Sequence, residues 1–160
     1  MNLENRIALV TGGSSGIGLA AAKELISQNA TVIITGRRKD VLEKIAGEIG
    51  AIPLVADQSK VSDLTELHRT IQDQVGKIDI LFINAGITGS AALIENADEA
   101  NFDAVIDINF KGAYFTLSTF IPLLNDGASV VFLSSNTASM RSPQSSIYQA
   151  SKAALNSIAK

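Results

Sequence analysis

The sequence contains no cysteine and no tryptophan, and it has only three prolines and one histidine. Without cysteine, the chain can form neither a disulfide framework nor a thiolate metal site. The single histidine, His68, argues against a histidine-based catalytic triad or metal cluster. No apolar run reaches the length of a membrane span, and the start MNLENRIALV lacks the apolar segment of a secretory signal. We therefore expect a soluble, cytoplasmic protein that holds no metal.

Charge and composition narrow the class of protein further. The chain has 160 residues, of which 46% are hydrophobic and 18% are charged, and this suits one globular domain over residues 1–160. The net charge of −3 gives no electrostatic basis for binding nucleic acid or an anionic membrane. We expect neither as a partner.

Short apolar runs alternate with helical patterns along the chain. The runs are rich in β-branched residues and apolar throughout, as in strands whose two faces are both covered. They occupy residues 7–10, 31–35, 52–55, 78–83 and 129–133. The longest helical stretch, 102–124, is one helix or a pair, with Pro122 near its end. This order predicts an α/β fold, a doubly wound parallel sheet between two layers of helices.

A glycine-rich loop follows the first predicted strand directly. In TGGSSGIG, residues 11–18, Gly12 permits a tight turn, Gly16 lets the backbone approach a pyrophosphate, and Gly18 lets the helix pack close to the strand. The next helix would direct its N-terminal N–H groups at the phosphates. A plain turn is the alternative, but the strand–loop–helix context favours a dinucleotide site. Its predicted residues are Gly12, Ser14, Ser15, Gly16, Ile17 and Gly18.

Tyr148 and Lys152 are four residues apart near the end of the sequence, in SSIYQASKAALNSIAK. This spacing places both side chains on one face of a helix. An ammonium next to a phenol favours the phenolate, so such a phenol can give or take a proton near neutral pH. The pair alone is weak evidence, because helices often carry it by chance.

Five motifs occur together in a characteristic order. They are TGGSSGIG, INAG at residues 83–86, Asn109, Ser135, and Tyr148 with Lys152. Together they resemble the short-chain dehydrogenase/reductase family, and the resemblance spans the whole chain. It implies a Rossmann-type fold and an oxidoreductase that uses a nicotinamide cofactor.

The residues after the second strand bear on the choice of cofactor. No carboxylate stands near Gly36 to hold a ribose 2′-hydroxyl, and Arg37 and Arg38 follow at once. A guanidinium suits a 2′-phosphate, so we expect NADP (NADPH) to be preferred, with NAD as the alternative. Lys39 and Asp40 are interpreted as a solvated helix start, with Asp40 as its cap, and Arg38 is open to the same interpretation.

The resemblance assigns further cofactor contacts at the ends of two later strands. Asp57, in LVAD, corresponds to the family's residue beside the adenine ring, although an ordinary loop aspartate is a serious alternative. Asn84, Ala85 and Gly86 follow the fourth strand, at the edge where such sheets bind ligands. In the family this segment also steadies the central sheet.

The resemblance also implies a catalytic set of Asn109, Ser135, Tyr148 and Lys152. Asn109 would hold a water for a proton relay, and as a buried amide it would need hydrogen-bond partners. Ser135 would stabilise charge on the substrate oxygen, whereas Ser134 is interpreted as structural. Tyr148 would exchange a proton with a small carbonyl or alcohol substrate while NADPH exchanges a hydride, and Lys152 would also bind the nicotinamide ribose.

The sequence departs from the family's pattern after Lys152. The family's chain normally adds two more strands and a loop over the active site, whereas this sequence stops at Lys160. We therefore expect a truncated member whose fifth strand is an open sheet edge. Two alternatives remain: a cofactor-binding fragment that is weak or inactive as a catalyst, and a product without function of its own. For a full-length form the resemblance implies a homodimer or homotetramer.

Overall fold

The computed structural model describes residues 2–140 and 142–159, which form a five-stranded parallel sheet with helices on both faces. The strand order is β3-β2-β1-β4-β5. The predicted α/β class and its parallel, doubly wound sheet are confirmed. The strands are β1 (Ile7–Thr11), β2 (Thr31–Gly36), β3 (Ile52–Val55), β4 (Ile78–Ile83) and β5 (Leu124–Phe132). The main helices are α1 (Gly16–Ser27), α2 (Lys39–Ile49), α3 (Val61–Gln74), α4 (Glu99–Ile106), α5 (Ala113–Phe120) and α6 (Ser146–Ile158).

The alternation of side chains along β1 divides the core into two layers. Leu9 points to one face of the sheet and packs in the layer that includes residues of α3, α5 and α6. Ala8 and Val10 point to the other face and pack with residues of α1 and α2. Both sets are fully buried. A strand with helices on both sides needs apolar residues at every position, which explains the unbroken apolar run in the sequence.

The fifth strand is longer and less regular than the sequence indicates. It begins at Leu124 rather than at residue 129, because Leu124 pairs with Ile78 before the regular ladder resumes at Ser129 opposite Ile80. The residues between them form an irregular bulge, in which Gly127 has a φ of +78°. Polar turn residues in this stretch hid the pairing, since bulged residues follow turn chemistry rather than strand alternation.

The helical stretch before β5 is not one regular helix. It starts at Glu99, earlier than predicted, and passes from α4 through a π-helical segment (Asp107–Gly112) into α5. A 3-10 turn (Ile121–Leu123) then ends it, so that the last residue of the predicted helix, Leu124, belongs to β5. Isolated π-helical turns are rare and often occur at functional sites.

None of the helices in the described parts of the chain is both long enough and apolar enough to cross a membrane.

Candidate active site

The carboxyl ends of the parallel strands open into one cleft with a volume of about 460 Å³. Open α/β sheets bind ligands at this edge, at the point where the direction of winding reverses. Here the reversal falls between β1 and β4, the two neighbours at the centre of the sheet. Every predicted cofactor contact before residue 87 lines the cleft except Gly18. These residues are Gly12, Ser14, Ser15, Gly16, Ile17, Arg37, Arg38, Asp57, Asn84, Ala85 and Gly86.

The phosphate loop has the backbone that the glycine spacing predicts. Gly12 and Gly16 adopt φ values of +66° and +54°, which residues other than glycine rarely adopt. Ser15 is the N-cap of α1 but makes no side-chain cap, and the first turn of the helix carries no acidic residue. The N-terminal N–H groups of α1 are therefore left for a phosphate, and the helix dipole favours the negative charge.

Gly18 acts by close packing and does not line the cleft. A Cβ at this position would overlap the carbonyl oxygen of Gly12 and the side-chain nitrogen of Asn84. That nitrogen donates hydrogen bonds of 2.8 Å to the Thr11 carbonyl oxygen and 3.2 Å to the Gly12 carbonyl oxygen. Asn84 therefore ties the phosphate loop to the end of β4, and only glycine leaves room for it at position 18.

Two exposed arginines stand where β2 ends. Arg37 and Arg38 both line the cleft, and Ser14 on the phosphate loop lies next to Gly36. Arg38 is the N-cap residue of α2, and Asp40 lies in the first turn of that helix. The expectation that Asp40 caps the helix is wrong, since α2 begins one residue earlier, at Lys39, and has no side-chain cap.

Asp57 both lines the cleft and closes a local turn. Its Oδ1 accepts hydrogen bonds from the backbone N–H and the hydroxyl of Ser59, at 3.1 and 2.8 Å. Its own N–H donates to Asp63 Oδ2 at 3.0 Å. The hydrogen bonds in the turn are those expected of an ordinary loop aspartate. The position in the cleft is the one expected of the family's residue beside the adenine ring.

The segment after β4 is fixed by side chains from three other parts of the chain. The hydroxyl of Thr11 accepts hydrogen bonds from the N–H groups of Asn84 and Ala85, both at 3.0 Å. Asn109 holds both backbone groups of Ile87: its Oδ1 accepts from the N–H and its Nδ2 donates to the carbonyl, both at 2.8 Å. The side-chain nitrogen of Gln58 supplies the third connection by donating a hydrogen bond to the carbonyl oxygen of Ala85 at 3.2 Å.

Asn109 lies in the π-helical segment and is completely buried. Besides its two bonds to Ile87, it donates a 3.0 Å hydrogen bond to the hydroxyl of Ser151. That hydroxyl donates in turn to the carbonyl oxygen of Tyr148, at 2.7 Å. The amide thus has the partners that a buried polar group requires, and it links the segment after β4 to α6.

Lys152 is 3% exposed and lies close to Asn109 and Gly86. Burial lowers the pKa of its ammonium below the ordinary value of 10.5. The ammonium donates to the carbonyl oxygen of Leu133 at 2.7 Å and stands 5.7 Å from the centre of the Tyr148 ring. Neither Lys152 nor Tyr148 lines the cleft, although both are among the residues predicted to contact the cofactor.

The two serines that follow β5 have different partners. Ser134 donates a hydrogen bond of 3.3 Å to the carbonyl oxygen of Lys152 and thus helps to hold α6 against the strand. The half-buried Ser135 is the N-cap of a short 3-10 turn, and its oxygen accepts from the N–H and the hydroxyl of Thr137, at 3.2 and 2.8 Å. The remaining donor of Ser135 faces Asn136 Oδ1 at 3.4 Å.

Sequence reasoning missed three buried polar residues of this site: Thr11, Gln58 and Ser151. Each stands next to a residue that was identified, in the pairs Thr11–Gly12, Asp57–Gln58 and Ser151–Lys152. The sequence feature that could have identified them is a polar side chain next to a recognised motif, in an otherwise apolar or glycine-rich segment. Among the described residues, no group of three His, Asp or Glu side chains could hold a metal ion.

Comparison with known proteins agrees with this architecture. A family model described as short chain dehydrogenase matches residues 6–160. The chain is 33% identical over 162 residues to oxidoreductase asL5 of Sarocladium schorii, covering 99% of this chain and 65% of that protein. It is 32% identical over 165 residues to an NADP-dependent (R)-specific alcohol dehydrogenase of Lentilactobacillus kefiri, with the same two coverages.

Solved structures show the same relationship. A short chain dehydrogenase from Escherichia coli CFT073, in complex with NADPH, superposes with a TM-score of 0.88 at 30% identity, over 98% of this chain and 69% of that one. The chain thus spans somewhat less than two thirds of the length of the two curated relatives. It belongs to the short-chain dehydrogenase/reductase family of NAD(P)-dependent oxidoreductases.

Proposed function

We propose that this chain binds NADPH and supplies the catalytic residues for hydride transfer between that cofactor and a small carbonyl or alcohol substrate. The observation that carries the proposal is the cleft, in which the phosphate loop, Arg37 and the segment after β4 converge. The positive φ values of Gly12 and Gly16 and the uncapped start of α1 fit a pyrophosphate. Bound NADPH would supply the hydride, and the remaining steps fall to the protein's side chains.

The preference for NADPH over NADH rests on the end of β2. Arg37 and Arg38 face the cleft, and no carboxylate stands at the strand end to hold a ribose 2′-hydroxyl. A guanidinium can donate two parallel charged hydrogen bonds to a phosphate. The relative from Lentilactobacillus kefiri is NADP-dependent by name, and the Escherichia coli structure contains NADPH, which supports the same choice.

Tyr148 is the proposed general acid and base. It lies one helical turn from Lys152, whose Nζ stands 5.7 Å from the centre of the Tyr148 ring. Ser135, in the segment that follows β5, is the proposed donor to the substrate oxygen. Asn109 links α6, which carries Tyr148, to the segment after β4, which lines the cofactor cleft.

A titration of the purified chain with NADPH and, separately, NADH tests the cofactor part of the proposal. A ligand at 100 times its Kd stabilises a protein by about 2.7 kcal/mol, or roughly 5–10 °C in a domain of this size. We expect such a rise in Tm with NADPH and a smaller one with NADH. No rise with either cofactor would refute NADP(H) binding by this chain.

A second candidate function is cofactor binding without turnover. The observation in its favour is that Lys152 and Tyr148 do not line the cleft and that Leu133 already engages the ammonium of Lys152. The variant Tyr148→Phe separates the two functions in an assay with ketones, aldehydes and NADPH. Loss of about 100-fold or more in turnover, with NADPH binding retained, supports catalysis. Equal and negligible rates in both proteins support the binding function.

A further inference from the structure

Gln58 is a buried amide that spans two walls of the cleft region. It follows Asp57 at the end of β3, lines the cleft and is 7% exposed. Its Nε2 donates to the carbonyl oxygen of Ala85 at 3.2 Å and to that of Ile108 at 3.0 Å. Two carbonyl acceptors at one end of the amide fix its orientation, because only the NH₂ group can donate to them.

The main chain of residue 58 meets the same helical segment. A Cβ at Gly112 would overlap the carbonyl oxygen of Gln58, so the two backbones are in close contact there. Gln58 therefore contacts the π-helical segment at two places, Ile108 through its side chain and Gly112 through its carbonyl. Asn109, the buried amide of the site, lies between them.

The other end of the Gln58 amide contacts no hydrogen-bond donor of residues 2–140 and 142–159. Its Oε1 is buried and accepts no hydrogen bond within the described parts of the chain. An orphaned acceptor of this kind destabilises the fold relative to an apolar side chain of similar size. Within the described protein, the polar contacts of the Gln58 side chain are its two hydrogen bonds to Ala85 and Ile108.

These two hydrogen bonds close a ring with those of Asn109. Asn109 holds both backbone groups of Ile87, and Gln58 joins Ala85 to Ile108, the neighbour of Asn109. We propose that Gln58 is a positioning residue, which fastens the Ala85–Ile87 wall of the cleft to the π-helical segment and so sets the position of the Asn109 amide. The importance of Gln58 for proton transfer rests on the proposed function. Its role in holding the Ala85–Ile87 wall to the π-helical segment does not.

The N–H of Ile87 reports directly on the fastening, because it donates to Asn109 Oδ1. The variant Gln58→Met keeps the length of the side chain and removes both donors. In the chain without cofactor, we expect hydrogen exchange at Ile87 to become at least about tenfold faster, while exchange at Ile33 in the core of β2 is unchanged. The side-chain amide resonances of Asn109 should shift as well.

Gln149→Met is the matched control. The side-chain nitrogen of Gln149 also donates two hydrogen bonds, but to Ser142 and Ser145 in the loop before α6. This variant should leave exchange at Ile87 unchanged. Equal exchange rates at Ile87 in the wild type and Gln58→Met would overturn the proposal, and so would equal acceleration in both variants.

A measurement on the wild-type chain keeps the proposal testable if Gln58→Met fails to fold. The side-chain amide protons of Gln58 should exchange at least about tenfold more slowly than those of Gln72, which is exposed on α3. Exchange as fast as that of Gln72 would overturn the proposal. No cofactor is present in these experiments, so a failure of the chain to bind NADPH would refute the proposed function and leave their outcomes unaffected.

Discussion

The buried ammonium of Lys152 donates a 2.7 Å hydrogen bond to the carbonyl oxygen of Leu133. This bond joins α6 to the end of β5, where Ser134 makes a second bond to the backbone of Lys152. Tyr148, the candidate general acid and base, thus lies on a helix that is attached to the sheet at Lys152. Because Lys152 is desolvated, the fold favours its neutral form more than water does.

The titration of Lys152 should appear in the dependence of stability on pH. Its folded pKa is below 10.5, so the unfolded chain holds the proton over a window that the folded chain does not. As pH rises through that window, the wild type should gain stability relative to Lys152→Met, by about 1.4 kcal/mol for each unit of difference in pKa. Urea unfolding from pH 7 to 10.5 measures this. Lys23→Met, at an exposed position on α1, should show no such divergence.

Asp79 should contribute to stability at neutral pH and lose that contribution in acid. Burial alone would raise the pKa of its carboxyl. The hydrogen bonds from the Ile7 N–H, the Arg6 guanidinium and the Asn125 amide outweigh burial and hold the pKa below 3.8. A lowered pKa stabilises the fold above the unfolded value and ceases to do so as pH falls through the folded one.

The variant Asp79→Asn should therefore lose on the order of 2 kcal/mol at pH 7, because its single amide oxygen carries no charge and leaves at least one of the three donors without an acceptor. The difference from the wild type should shrink below about pH 4. Chemical unfolding at pH 7 and at pH 3 measures both values. Asp73→Asn, at an exposed position of α3, is the control and should change little. A difference independent of pH would contradict the prediction.

Two glycine-to-alanine changes should have opposite effects. At Gly18 a methyl group would overlap the backbone of Gly12 and the amide of Asn84, neither of which can move freely, so the cost should be about 3 kcal/mol or more. At Gly47, inside α2, a Cβ meets nothing within 4 Å, and alanine should stabilise the helix by about 0.5–1 kcal/mol. Thermal unfolding of the two variants tests this, and destabilisation by Gly47→Ala would contradict it.

The proposed preference for NADPH should change with two substitutions at the end of β2. Gly36 has ordinary φ, and a Cβ there would meet only Ser14 and Leu42, at 3.5 Å, so Gly36→Asp can be accommodated. Combined with Arg37→Ala, it places a carboxylate where a ribose 2′-hydroxyl would lie. We expect the ratio of the Kd for NADPH to that for NADH to rise by about 100-fold, since charged hydrogen bonds contribute about 1.5–3 kcal/mol each.

Fluorescence titration with each cofactor measures this ratio. Gly36→Asn with Arg37→Ala is the matched control, because it has nearly the same shape without the added negative charge. It should weaken NADPH binding and gain little for NADH. An unchanged ratio in the aspartate variant would show that the cofactor's ribose does not lie at the end of β2.

The order of the elements and the glycine loop at the cleft could be predicted from the sequence. Both follow from local patterns: apolar runs at β1 and β2, and glycines at positions 12, 16 and 18. A turn, a strand or a helix start depends on a few adjacent residues, so adjacent residues can predict it. The irregular start of β5 was missed because its bulge, with Gly127, has the local chemistry of a turn.

The contacts between distant residues depend on tertiary packing. Gln58 and Ile108 are 50 positions apart, and Asn109 and Ser151 are 42 apart. No local periodicity encodes such pairs, because they depend on how the helices of one face pack over the ends of the strands. The same holds for the π-helical segment around Asn109, since a pattern of apolar residues fits α and π turns alike. Tyr148 and Lys152 could be identified from the sequence. The burial of Lys152 and its hydrogen bond to Leu133 could not, because both depend on how α6 packs against the sheet.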